Sequence, residues 1–582
     1  MYAHTLLTRR TYMSAQTWHS GLNEEDSIPM KRAFRSRLQL TVAVGVVAVL
    51  ATSACSAKVS TDNSGSGSPA GAASMLVGAD NGSPTFLRNF NPFSPNKRNL
   101  TTYMYEPLEV VNNLDGKATP FLATGFDQPD AKTVVFHIRQ GVKWSDGTPF
   151  TAADVAYTFN LLKATPALDT GGVWQHVASL AVSGNDVTFH LKTADVPAAT
   201  VIEQTLIVPE HIWKNVSDPT TWTDPDPVVT GPYTLDTFTP NQYTLKKNPG
   251  YWQADKVAVQ KIVAPASNTQ LDVVSKGYDW AYSFMSDVQG TWVNADKQHN
   301  SYWFPPGGTI ALLPNLTKAP FNNLDFRQGL SLALDRSKIA NEAEQGYVQP
   351  ASQTGLLLPN FSSWLDSSIP NQGNVSQNTS AALAAFAKAG YTSKGGKLVD
   401  ASGKQLTITL TTPNGWTDYL QGAQIIQQQL AATGINLQVN QPQPAAYQQA
   451  MQNGDFDLVM GSFGGSGSLY QDYNNLLNSG FKQPVGTATV SNYERYGDPA
   501  TDALLAQLKT TTDEATQKQI VDKLQGVVYN QLPAISLFYG GLWGLSSDKN
   551  FTGWPSAKDP YASLMTWGST PLLVLTHLTA VK

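Results

Sequence analysis

The chain has 582 residues, more than one hydrophobic core accommodates, so two or more lobes are expected. Charged residues make up 14% and the formal net charge is −5, and no basic stripe marks a nucleic-acid partner. One cysteine, Cys55, excludes an internal disulfide and a cysteine-built zinc site, and the eight histidines include no HxxxH or HExxH pair.

Residues 1–29 are polar and unpatterned. From Met30 the composition changes: Lys31, Arg32, Arg35 and Arg37 form a basic region, Leu38 to Leu50 an apolar run, and Thr52, Ser53 and Ala54 a small-residue end before Cys55. This is the pattern of a secretory signal at 30–55, which predicts that translation begins at Met30. The apolar run is short for a spanning helix, which needs about 20 residues. The ending resembles a lipobox, with Thr52 where Leu is usual, and implies that Cys55 carries the lipid and becomes the mature N-terminus. Residues 56–74 are rich in Gly and Ser and read as a flexible tether of at most about 60 Å.

The folded body begins near Met75 with ADNGSPTFLRNFNPFSP. Val134, Phe136 and Ile138 alternate with polar residues as in a half-buried strand, and Ser145 to Pro149 carries turn chemistry. Thr151 stands three residues before Asp154, a capping-box start, and Val155, Phe159 and Leu162 follow at helical spacing. Val187, Phe189 and Leu191 read as another strand.

The stretch VKWSDGTPFTAADVAYTF closely resembles the segment that marks family 5 of the bacterial extracellular solute-binding proteins, the oligopeptide- and dipeptide-binding class. IVPEHIW (207–213), TGPYTL (230–235), LKKNPGYW (245–252) and KGYDWAY (276–282) match further family landmarks, the last as the strand before the first interlobe crossing. The resemblance covers about residues 75 to 570. It implies an α/β fold of two lobes with a hinge, of the periplasmic-binding-protein kind: 75–112, 206–285 and 536–582 in lobe one, 113–205 as its inserted subdomain, and 286–535 as lobe two.

Within lobe two, Pro320 to Ile339 reads as one capped helix with Phe326, Leu330, Ala333 and Leu334 inward. The strand at Leu406 to Leu410, the helix Thr417 to Ala431 with its stop at Gly434, and the strand at Ile435 to Val439 imply a parallel pair with a crossover. FDLVMG (456–461) is a third strand. The helix from Asp513 to Asn530 precedes LPAISLF (532–538), expected to return the chain to lobe one.

No GxSxG, phosphate loop or metal cluster appears, so binding without turnover is the expected class, with no catalytic residue and no cofactor. Candidate wall residues lie in loops at strand ends: Asn91 and Phe93 after the first strand, Trp416 before the helix at 417, Phe463, Ser466, Tyr470, Asp472 and Tyr473 after the third strand of lobe two, and Trp543 after the last crossing. An aromatic just before a helix also serves as a plain hydrophobic staple. In the family's peptide binders a Trp-x-x-Asp supplies the carboxylate for the peptide ammonium; the matching run here is Phe463-Gly464-Gly465-Ser466, with Asp472 as its replacement if the loop is realigned.

By this resemblance the chain is a lipid-anchored receptor on the outer face of the cell membrane, monomeric, delivering a peptide-class solute to an ABC permease. The aromatic and neutral loop residues leave a receptor for neutral oligosaccharides open beside it, and fourteen Trp suit apolar walls as well as an ordinary core. A tethered secreted hydrolase is the rival from another class. A nickel or haem receptor is a third possibility, weakened by the dispersed histidines.

Overall fold

A computed structural model describes residues 74–80, 84–267, 269 and 271–581. The signal region 30–55 with Cys55, and the tether up to residue 73, lie outside the described residues.

Lobe one is organised on a seven-stranded sheet. Its order is Asn300–Trp303, Gly544–Ser547, Trp280–Tyr282, Ser74–Gly78, Lys261–Pro265, Gln242–Lys247 and Tyr233–Thr239. The first strand of the body is central and pairs in parallel with both of its neighbours. Met75, Val77, Tyr103, Trp280 and Leu564 are buried around it. The inserted subdomain is a four-stranded antiparallel sheet, Ala123–Asp130, Thr133–Ile138, Asp186–Leu191 and Val177–Ser183 in pairing order from Ala123–Asp130, covered by the helix Ala152–Ala164. The Thr151–Asp154 capping box forms: Thr151 Oγ1 accepts from the Ala153 amide at 3.2 Å, and Asp154 Oδ2 accepts from the Thr151 amide at 2.9 Å. Val134, Phe136, Val155 and Phe159 fill its core, and Trp174 and Trp252 pack against both this core and that of lobe one.

Lobe two has a five-stranded sheet in the order Asn436–Asn440, Thr407–Thr411, Leu458–Phe463, Pro306–Pro314 and Ile535–Gly541. The first three strands are parallel; the last two run antiparallel to their neighbours. Because side chains alternate across a sheet, Ile310, Leu312, Ile408, Leu410 and Met460 face one helical layer, Leu324–Ala333, Arg336–Ala343 and Thr417–Ala431. Ala311, Leu313 and Val459 face the other, where Leu469–Leu477, Pro499–Thr510 and Glu514–Gln531 pack.

Three boundaries differ from the expectation. Asn300–Trp303 pairs with Gly544–Ser547, so lobe one continues past 286 and the first crossing lies at 304–305. Ile535–Gly541 is the edge strand of lobe two, and the chain returns to lobe one only after it, near 542. The segment 320–339 is two helices rather than one. Leu334 is extended, and Asp335 caps a new start by accepting from the Lys338 amide at 2.9 Å. The buried Arg336 guanidinium then ties the corner down, donating to the Ser536 carbonyl at 2.7 Å and the Ser331 carbonyl at 2.9 Å.

Candidate functional site

In open α/β sheets ligands meet the carboxyl ends of parallel strands. In lobe two those ends are Asn440, Thr411 and Phe463, and the antiparallel strand beside Phe463 starts at Pro306, next to the first crossing. The carboxyl edge therefore faces the hinge.

The crossings are lined with rings. Phe304 lies 4.9 Å from Trp543, Trp543 lies 4.9 Å from Phe284, and Tyr347 packs edge-on against both Tyr302 and Phe304. Tyr282, the last residue of its lobe-one strand, meets Trp567 at 4.3 Å. Trp543, just after the second crossing, thus joins Phe304 of the first crossing to Phe284 of lobe one.

The loop 464–468 follows the third lobe-two strand and is drawn into a tight curl. The buried Asp472 carboxylate accepts from the Gly465 amide at 3.1 Å and the Ser466 amide at 3.0 Å. Burial pushes this carboxyl up, and those bonds partly offset it. Gly465, at φ +87°, has no room for a Cβ, which would fall 2.0 Å from the Gly307 carbonyl oxygen. The same loop touches lobe one: a Cβ on Gly116, at φ +73°, would fall 2.3 Å from the Gly467 carbonyl oxygen.

A second contact closes the far rim. Lys509 of lobe two pairs with Asp195 of the inserted subdomain at 3.1 Å, and the Val196 amide donates to the Lys509 carbonyl at 2.8 Å. His176 Nδ1 lies 2.8 Å from the same Asp195 oxygen. Burial pushes the Asp195 carboxyl up, but its bonds to His176 and Lys509 outweigh that and hold it below the ordinary carboxylate range. Tyr470 stands near this carboxylate; burial first, then the Asp195 charge, pushes its hydroxyl up to about 12.

The expected wall residues divide into two groups. Asn91, Phe93 and Tyr473 are buried and engaged within the protein. Asn91 is fully buried, its side-chain amide donates to the Pro219 and Trp222 carbonyls, and its side-chain oxygen accepts from the Phe93 amide. Phe93 packs edge-on against Trp213 inside lobe one. Tyr473 is sealed in the lobe-two core and donates to the Thr354 carbonyl at 3.0 Å. The expectation that Asp472 holds a ligand ammonium meets a carboxylate already occupied by its own loop. Ser466 is exposed, and its hydroxyl donates to the Ser468 carbonyl.

Trp416, Phe463, Tyr470 and Trp543 are half-buried. Trp416 sits just ahead of the helix Thr417–Ala431 with its ring against Tyr419 at 5.1 Å and Tyr447 at 6.1 Å, on the hinge-facing edge with Trp543 and Phe463. The structure adds residues the sequence did not single out: Phe304 at the first crossing, Phe284 and Tyr347 packed on the rings of the crossings, and a buried acid, Glu344. The aromatic content of SYWF (301–304) was the available signal for the first two rings' neighbourhood.

Known proteins share this architecture. The model for bacterial extracellular solute-binding proteins, family 5 Middle, matches residues 117–484. The periplasmic oligopeptide-binding protein OppA of Escherichia coli is 24% identical over 511 residues, 80% of this chain and 87% of that protein. A solved structure of the periplasmic oligopeptide-binding protein of an oligopeptide ABC transporter of Thermotoga maritima superposes with a TM-score of 0.77 at 26% identity, covering 87% of this chain and 99% of the other. A second structure of that Thermotoga maritima protein, with mannohexaose bound, superposes with a TM-score of 0.68 at 26% identity, covering 87% of this chain and 98% of the other.

Proposed function

Because the chain belongs to the bacterial extracellular solute-binding proteins of family 5, we propose that it is the receptor that captures a small oligomeric solute between its two lobes and hands it to a membrane permease. Receptors of this family serve ABC importers outside the cytoplasm and are binding proteins rather than enzymes. The observation that carries the reading is the hinge-facing edge of lobe two, where half-buried Trp416 and Phe463 stand at the ends of parallel strands and half-buried Trp543 packs with Phe284 and Phe304 at the crossings. Such a site binds by burying ligand surface as the lobes close; it needs no reactive group. Anchoring through a lipid on Cys55 belongs to the same proposal, and its test is loss of membrane association in Cys55→Ser.

Family membership points to peptides as the solute class. A second reading, neutral oligosaccharides, is favoured by a specific observation: the carboxylate available to a peptide ammonium, Asp472, is engaged by two amides of its own loop, and Ser466 carries no charge. The related Thermotoga maritima protein crystallised with mannohexaose supports that reading. The experiment is a thermal-shift panel of di- to hexapeptides and α- and β-linked oligosaccharides, with the incubated solutes analysed for products. A bound solute raises stability by about 2.7 kcal/mol at one hundred times Kd. A shift with no product supports a receptor. Cleaved solute moves the chain to the hydrolase class.

A further inference from the structure

Gly422, in the helix Thr417–Ala431, packs where the helix Arg336–Ala343 ends: a Cβ built on it would lie 3.8 Å from the Ala343 Cβ and 2.9 Å from the Met460 methyl. Asp418 is four residues before Gly422, one turn nearer the helix N-terminus on the same face. Glu344 directly follows Ala343. The packing thus sets Glu344 beside Asp418, and the Asp418 charge acts on Glu344. Both carboxyls also act on the Tyr419 hydroxyl, which faces Ser462 at the carboxyl end of the neighbouring strand.

This corner holds unused hydrogen-bonding capacity. Glu344 is 1% exposed, and its Oε2 has no hydrogen-bond partner among the described residues. Neither acid has a Lys, Arg or His ion-pair partner among the described residues. An unsatisfied buried acceptor costs free energy unless something completes it. The chain links this corner to the first crossing: the Tyr347 amide donates to the Glu344 carbonyl at 2.9 Å, and the Tyr347 ring packs edge-on against Tyr302 and Phe304. Trp416, half-buried, stands two residues from Asp418.

We propose that Glu344 and Asp418, beside Trp416, form a hydroxyl-binding subsite that holds one sugar unit of a neutral oligosaccharide. This inference rests on the saccharide reading given above. A carboxyl that keeps its proton offers one donor and a neighbouring carboxylate offers acceptors, which matches a vicinal diol whose hydroxyls both donate and accept. Burial, with the nearby Asp418 charge, pushes Glu344 up to about 8, so it keeps its proton at neutral pH. The half-buried Trp416 ring, set nearly perpendicular to Tyr419, supplies the apolar surface for the sugar.

The test is calorimetric titration of the whole protein with mannohexaose, cellohexaose and maltohexaose, and with tetra-alanine free and N-acetylated. Wild type should bind at least one hexaose. Asp418→Asn should weaken it at least tenfold, Glu344→Leu at least fivefold, and Glu344→Gln, which keeps a neutral donor, less than threefold. The two Glu344 variants decide the matter if Asp418→Asn does not fold. Hexaose binding left unchanged in Asp418→Asn and Glu344→Leu would overturn the subsite and leave the saccharide reading standing. Binding of tetra-alanine alone, abolished by N-acetylation, would overturn the saccharide reading; its loss in Asp418→Asn as well would make the pair an ammonium site. Failure of all three hexaoses to bind overturns the proposal.

Discussion

The two faces of the lobe-two sheet each bury an acid near the hinge, and the two acids are treated differently. On one face Asp472 receives two backbone amides and closes the curl of the loop 464–468. On the other, Glu344 is at least as deeply buried and has an oxygen with no partner. The difference separates a group that maintains the fold from one left ready for something else. A buried carboxylate that accepts amides repays its desolvation within the protein; one without them holds a proton or awaits a ligand.

Removing each acid should therefore have opposite consequences. Asp472→Ala leaves the Gly465 and Ser466 amides without their acceptor and should cost about 3 kcal/mol in denaturant unfolding at pH 7. Glu344→Gln should cost little at pH 7, because it replaces a neutral group by a neutral group. Equal losses from the two substitutions would erase the contrast.

The pH dependence of stability sharpens it. Glu344 is raised from 4.5 to about 8 on folding, by burial first and then by the Asp418 charge. The folded state binds the proton more tightly than the unfolded state, so stability falls as pH rises. This contribution is whole below about 4.5 and is lost as pH passes through about 8. Glu344→Gln should flatten the fall by on the order of 4 kcal/mol between pH 5 and 9. Chemical denaturation at several pH values measures it, and parallel profiles for wild type and variant would show that Glu344 is not the group responsible.

How much of this was legible in the sequence follows from what each residue's neighbours reveal. The capping box at Thr151 and the helix from Thr417 to its stop near Gly434 were readable, because caps, spacing and stops are local signals. The crossings were misplaced because strand pairing is decided by partners far along the chain: Asn300–Trp303 pairs with Gly544–Ser547. Asn91 and Tyr473 read as loop residues free to meet a ligand, whereas the Asn91 side-chain nitrogen and the Tyr473 hydroxyl donate to backbone carbonyls over a hundred residues away. Glu344 was invisible in NEAEQ. Its neighbour Glu342 is a surface acid 3.8 Å from Lys338, and nothing local tells the two apart.

Smaller effects probe the hinge edge and the rim. Trp416→Ala should weaken the best ligand by about 1–3 kcal/mol, the scale of losing a buried apolar side chain, with little change between low and high salt. A steep salt dependence would mark an ionic contact instead. Lys509→Ala breaks the rim pair with Asp195. It should cost no more than about 1 kcal/mol in affinity and shift every ligand alike, since it acts on closure and not on ligand class. A ligand-selective effect, read by the same titrations, would place Lys509 in the site.

The most direct measurement is a crystal structure of the protein with the solute selected by the binding panel. The account predicts that solute between the lobes, a sugar ring on Trp416, and a hydroxyl oxygen about 2.5–3.0 Å from an Asp418 or Glu344 oxygen. A peptide whose ammonium sits on Asp472, with the loop 464–468 opened to admit it, would contradict it.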